Sequence, residues 1–167
     1  LPIPKEYAQV EDFKLLNTSH EGLVNDNNVD QRCVYIEKPY EKDEEFSVEY
    51  EFINHMHYEE LDPSIVTDEH PDTCLEEYAP HVVFTDYLKN LVKEIIGEET
   101  NPLLKAKLIY DYITSHVTYS YVRAYATLPC IPEYITTGLK GDCGLQALTF
   151  ITLCRIAGIP ATWQAGL

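Results

Sequence analysis

Long apolar runs are missing from the 167-residue chain: no stretch approaches the ~18 consecutive apolar residues of a membrane-spanning helix, and no apolar leader opens it. Basic residues are scarce, 12 Lys and Arg against 28 Asp and Glu for a net charge of −16, and no basic stripe with interleaved aromatics occurs. An acidic surface repels phosphates, so nucleic acid and anionic membrane are not expected as partners. None of the five cysteines (Cys33, Cys74, Cys130, Cys143, Cys154) forms a C-x-x-C pair or has a histidine at zinc-ligand spacing, so no metal or other cofactor is expected. Internal repeats and low-complexity tracts are absent too, which sets aside solenoid and linker architectures. With Leu1 in place of an initiator methionine, the chain is expected to be part of something longer.

What is present is a globular composition, 45% hydrophobic, enough for one core or for one domain plus a fragment. Charge is uneven: residues 41–80 hold 14 of the 28 acids and Lys42 as their one base, whereas residues 81–167 balance seven acids with seven bases. The acidic run reads as a solvated face. Together with three prolines (Pro63, Pro71, Pro80), it marks a loop-rich connector. Two parts are therefore expected: a β-rich amino-terminal segment with its acidic connector over 1–75, and a second domain over 76–167.

The amino-terminal part predicts a short helix around Lys5 to Leu16, then a turn over the polar run Asn25–Asn28. Strands are predicted at Cys33–Ile36 and over Phe46, Val48, Tyr50 and Phe52, whose alternation with Ser47, Glu49 and Glu51 gives an acidic outer face. Beyond the connector the period changes. Leu88, Leu91, Val92 and Ile95 stand at i, i+3, i+4, i+7 and predict a helix from Thr85 to Ile96, stopped by Gly97. Asn101 with Pro102 starts a second helix, with Leu104, Leu108, Ile109, Tyr112, Ile113 and His116 as its buried stripe. After a β-prone stretch over His116–Val122 and a loop containing Pro129 and Pro132, Asp142 caps a third helix over Cys143–Ala157. Gly158 and Pro160 end it, and a strand is predicted over Ala161–Gln164. The fold class is α+β.

Chemistry concentrates at Gly141-Asp142-Cys143-Gly144, where a cysteine opens an apolar helix. The unpaired amides and macrodipole of a helix N-terminus favour thiolate over thiol, and the same amides point at the place where an oxyanion would form. Gly144 leaves room for a carbonyl to approach. Asp142 opposes the dipole in part, since a carboxylate beside a thiolate disfavours its ionisation. The plainer alternative is that Cys143 is a buried apolar residue at the start of a core helix, as free cysteines often are.

The run Lys140-Gly141-Asp142-Cys143-Gly144, followed by Leu153-Cys154-Arg155-Ile156-Ala157-Gly158-Ile159-Pro160-Ala161, resembles the core of the transglutaminase-like superfamily. The helix segment from Asn101 to Ile113 and Val117-Thr118-Tyr119-Ser120 are similar to the family's helix before the cysteine loop, so the resemblance covers about residues 78–167. It implies the front half of a papain-like, transglutaminase-like core, with Cys143 as the catalytic nucleophile of acyl transfer from amides or esters. The family's histidine and aspartate are expected beyond Leu167, and the 167-residue chain is expected to be nearly inactive on peptides without them. None of His20, His55, His57, His70, His81 or His116 matches the family's position. Tyr119, Tyr121, Tyr125 and Tyr134 fall where the family borders the cysteine's cleft, and Trp163 falls on the strand after the helix. Of these, Tyr119, Tyr121, Tyr125 and Trp163 are the candidate substrate-binding residues.

A protein or peptide substrate follows from this reading, for a peptidase or amidase more than a cross-linker, because neither a calcium loop nor an amine site is visible. The alternative is a non-catalytic binding or structural module with a degenerate form of the same fold. A redox-sensing thiol is disfavoured, since Cys154 stands 11 residues along the same helix, about 16 Å away. The other cysteines are read as core (Cys154) or as lying in strands and loops, without the helix-start setting. An odd cysteine count fits a soluble bacterial cytoplasmic protein as well as a secreted or cell-envelope one, and the uncovered edges of a half core predict self-association or a processed chain.

Overall fold

The computed structural model describes residues 1–6, 9–26, 32–39, 41–55, 60–70 and 72–163. The chain divides into two compact units that meet in sequence at Glu60 and Leu61.

In the first unit, β1 (Val10–Thr18) pairs antiparallel with β4 (Val48–Asn54), and β2 (Leu23–Val24) pairs antiparallel with β3 (Val34–Tyr35). The helix expected over Lys5–Leu16 is absent: from Val10 onward this segment is strand. Backbone pairing with β4 decides it, running from Val10 opposite Asn54 to Thr18 opposite Val48, with irregularities between Glu11 and Lys14 and between Leu15 and Asn17 that scramble the alternation of period two. The two predicted strands occur, the first trimmed to Val34–Tyr35 and the second shifted two residues on, to Val48–Asn54. On β4 the outward acids are exposed, and Glu51 receives a bond from Lys14 Nζ at 2.9 Å, yet Phe52 and Ile53 are exposed as well. Among the described residues of this unit, Ile3, Val10 and Val34 are the buried apolar side chains. Asn25 and Asp26 lie outside strands, and the remainder of the predicted Asn25–Asn28 turn falls outside the described residues.

The second unit is helical: α1 (Asp86–Ile96), α2 (Pro102–His116), α3 (Ile131–Gly138) and α4 (Cys143–Ile156), with a two-residue parallel ladder between β5 (Thr118–Tyr119) and β6 (Lys140–Gly141). Side-chain caps set the helix starts, Asn101 and Asp142 as expected and Thr85 where the first helical residue was expected. Thr85 Oγ1 accepts from the Leu88 amide at 3.3 Å, and Asn101 Oδ1 accepts from Leu103 and Leu104 at 3.0 and 3.2 Å. Gly97, at φ 54°, closes α1 in the left-handed region where a side chain would be strained.

The core joins Leu88 and Val92 of α1, Ile109 and Ile113 of α2, Ile131 and Ile135 of α3, and Leu145, Leu148, Leu153 and Cys154 of α4. Helix α4 packs against the other three and buries residues almost all round, as a central helix must. Its two buried threonines cost little, because Thr149 Oγ1 donates to Leu145 O and Thr152 Oγ1 to Leu148 O, each at 2.8 Å. The α2 stripe is narrower than expected. Ile109 and Ile113 are buried, but Leu108 and His116 are exposed, His116 lying at the helix end with its ring stacked on Tyr112.

Three further expectations are corrected. Residues 131–138, expected as loop, form α3: Pro132 sits in the first turn, where its missing N–H is harmless, and Ile131 and Ile135 bury one turn apart. Residues 161–163 form no strand, because the Ala161 amide donates to Cys74 O at 3.1 Å and Ala161 O accepts from Arg155 Nε at 2.8 Å; Gln164 lies outside the described residues. The acidic connector belongs to the second unit, so the division falls ahead of the expected 75/76 boundary. Asn101 Nδ2 donates to Pro63 O at 2.7 Å, Arg155 Nη1 to Glu76 O at 2.6 Å and the Ile131 amide to Pro80 O at 3.3 Å, fastening it to the helices.

Candidate active site at the start of helix α4

The parallel ladder delivers the chain to the site. Tyr119 on β5 stands in register with Gly141 on β6, and the Ser120 amide donates to Gly141 O at 3.1 Å. Gly141 is buried, and a Cβ there would fall 2.0 Å from Ile135 Cδ1, so any side chain at this position would have to displace the buried Ile135. Asp142 follows in extended conformation (φ −81°, ψ 179°) as the N-cap of α4. Its Oδ1 accepts from the Leu145 amide at 2.9 Å and from the Tyr125 phenol at 2.5 Å.

Cys143 is the first residue of α4 and is exposed. The amides of Cys143 and Gly144, the first two of the helix, have no intrahelical acceptor and flank the thiol. Beside them the Tyr125 ring lies over Gly144, where an added Cβ would stand 2.3 Å from the phenol oxygen. Burial first, then the bond to Asp142, pushes the Tyr125 phenol up to about 12, so it stays a protonated donor at neutral pH. Gln146 Nε2 donates to Gly141 O at 3.1 Å and braces the turn from below. The buried-apolar alternative for Cys143 required a core thiol; the core thiol on this helix is Cys154, 1% exposed, with burial pushing it up to about 12.

The structure brings Tyr119 and Tyr125 to the cysteine turn, one through the ladder and one through Asp142. Tyr121, two residues past the ladder, is 94% exposed. Tyr134, on α3, is also exposed, with the Arg123 guanidinium 5.7 Å from its ring centre. Trp163 is exposed and follows Ala161, which is fastened to Cys74 and Arg155 near the C-terminal end of α4, about 20 Å along the helix from Cys143 at 1.5 Å per residue. The Tyr125–Asp142 bond was not legible from spacing, because 17 residues and an irregular loop separate the partners.

Cys130 corrects the expectation that no other cysteine has a helix-start setting: it is the N-cap of α3. Among the histidines, His20 Nε2 lies 2.7 Å from Glu44 Oε1, His55 Nε2 lies 3.3 Å from Glu11 Oε2, His81 stacks on Tyr78, and His116 Nδ1 lies 2.8 Å from Tyr112 O. None of these four hydrogen-bonds to Cys143.

An exposed cysteine on the first turn of a buried helix, after a short strand and an aspartate cap, agrees with what comparison with known proteins finds: residues 89–167 match the model of the transglutaminase-like superfamily. Residues 89–167 belong to that superfamily. This transglutaminase-like segment begins inside α1, rather than near residue 78, and includes the whole cysteine turn. An uncharacterized protein of Haemophilus influenzae is 36% identical over 95 residues, which make up 52% of this chain and 25% of the relative. The chain thus spans a quarter of that relative's length. No solved structure matches.

Proposed function

We propose that Cys143 is the nucleophile of an acyl-transfer domain that acts on amide bonds of a protein or peptide, as a peptidase or amidase within the transglutaminase-like superfamily. The observation that carries this reading is the exposed thiol on the first turn of α4, beside two amides free of intrahelical acceptors. The sulfur attacks the carbonyl carbon, the oxyanion of the tetrahedral intermediate gathers at the Cys143 and Gly144 amides, and collapse expels an amine and leaves a thioester. Water or a second amine then resolves the thioester. Expelling the amine requires a proton donor, which the reading expects from a histidine held by an acid on the strands that follow the nucleophile helix in this superfamily.

The contrary reading, a binding module that kept the fold without the chemistry, is favoured by a thiol as buried as Cys154, and the exposure of Cys143 weighs against it. The test separates acylation from turnover. Incubated with an activated aryl ester, which needs no proton on its leaving group, the 167-residue chain is expected to gain one acyl mass on Cys143, and Cys143→Ala to gain none. A peptide amide is expected to turn over only in a longer protein that carries the histidine and acid. An ester that acylates another residue, or none, would sink the nucleophile assignment, and steady turnover of a peptide by the 167-residue chain would sink the requirement for the missing donor.

A further inference from the structure

The cap of α4 poses an electrostatic problem that a neighbouring loop residue answers. A carboxylate one residue before the thiol disfavours the thiolate and so opposes the helix field. Yet this carboxylate is not left bare, because its Oδ1 accepts both the Leu145 amide at 2.9 Å and the Tyr125 phenol at 2.5 Å. Hydrogen bonds to an ionised acceptor are the strong ones, and they spread its charge onto the donors. Gly144 completes the arrangement, since a Cβ there would stand 2.3, 3.2 and 3.3 Å from the phenol oxygen, Cζ and Cε2 of Tyr125.

We propose that Tyr125 is a positioning residue for Cys143, acting through Asp142: its phenol O–H ties down the cap carboxylate and draws off part of its charge, so that the thiolate forms beside a partly screened cap. The proposal rests on the reading of Cys143 as nucleophile and assigns Tyr125 a role distinct from lining a substrate cleft. The titratable groups that act on Tyr125 are Asp142 and Cys143, and the Leu145 amide bears on its phenol as well. On the elements alongside, Lys140 of β6 and Tyr119 of β5 are exposed, Glu133 of α3 acts on Cys130, and Tyr87 and Glu94 of α1 act on Tyr112 of α2. Gly144 is part of the device, because any side chain there displaces the phenol while leaving both bonding partners chemically intact.

The experiment is the rate of Cys143 alkylation by iodoacetamide as a function of pH, followed by peptide mass spectrometry in the wild type, Tyr125→Phe, Asp142→Asn and the double variant. Asparagine remains a good cap and phenylalanine keeps the ring, so each variant isolates a charge or a hydroxyl. Tyr125→Phe is expected to raise the midpoint by about half a unit, roughly a threefold loss of thiolate below it, and to have no effect when Asp142 is already asparagine. Gly144→Ala, which expels the phenol, is expected to reproduce the shift. An equal shift in both backgrounds would mean that Tyr125 acts on the thiol directly, and unchanged midpoints in both Tyr125→Phe and Gly144→Ala would mean that it does not act on it; either overturns the proposal. A Cys143 that alkylates readily with an unmoved midpoint overturns this inference alone, whereas a Cys143 that resists alkylation throughout overturns the nucleophile reading with it.

Discussion

Two helices of the second unit begin at a cysteine, and their thiols meet different surroundings. Cys130 is itself the N-cap of α3, half-buried, and makes no capping hydrogen bond. Burial pushes its thiol up. Cys143 stands one residue further in, exposed, with the capping left to Asp142. Both sulfurs lie in the field of a helix N-terminus, so the field does not distinguish them. A dedicated cap before the cysteine frees the sulfur from satisfying backbone amides and lets it face solvent. The helix behind it differs as well: α3 has eight residues, whereas α4 has 14 and is the buried axis of the bundle, which gives Cys143 a rigid mount.

The largest consequence is in reactivity. With iodoacetamide at neutral pH, Cys143 is expected to react about a hundredfold faster than Cys130, since burial pushes the Cys130 thiol up and Cys143 is the more accessible. Cys154 is expected to stay unmodified until the unit unfolds. Quantitative peptide mapping at several reaction times gives the ratio, and rates within a few-fold of each other would erase the distinction. Next in size is the cap. Asp142→Ala removes the acceptor of both the Leu145 amide and the Tyr125 phenol and is expected to cost about 1–2 kcal/mol in urea unfolding, more than Cys130→Ala, which removes no capping bond. Equal losses at the two positions would show that the caps contribute alike.

How much of this was legible in the sequence follows from the range of the interactions involved. Helices α1, α2 and α4 begin within one residue of expectation, because Thr85, Asn101 and Asp142 cap their own next turn and Gly97 and Gly158 end theirs. Helix α3 is not legible because Pro129 and Pro132 outweigh an Ile131–Ile135 pair that spans only one turn. Strand β1 is not legible because its partner lies 30 or more residues away and its irregular register breaks the alternation that marks a strand. At the site, the cysteine and its cap were readable from a four-residue run, while Tyr125 was placed near the cleft by resemblance and its bond to Asp142 by the fold alone. The place of Trp163 beside the cleft depends on an expected strand that the Ala161 bonds to Cys74 and Arg155 replace.

The smallest expected effect sharpens the comparison most, because one substitution is made at both helix starts. The first turn of α3 offers a cap few donors: Pro132 has no N–H, which leaves the Glu133 amide as the partner an N-cap side chain would serve. Sulfur is a poor acceptor for it, and a hydroxyl is a good one. Cys130→Ser is therefore expected to stabilise the unit by about 0.5 kcal/mol, the gain from a completed cap exceeding the loss of a half-buried thiol, while Cys143→Ser leaves stability unchanged because Asp142 already caps α4. Urea midpoints of the two variants decide between capping and packing. Loss of stability in Cys130→Ser would mean that this thiol serves the core before it serves the helix, and the two cysteines would then differ in kind and not only in placement.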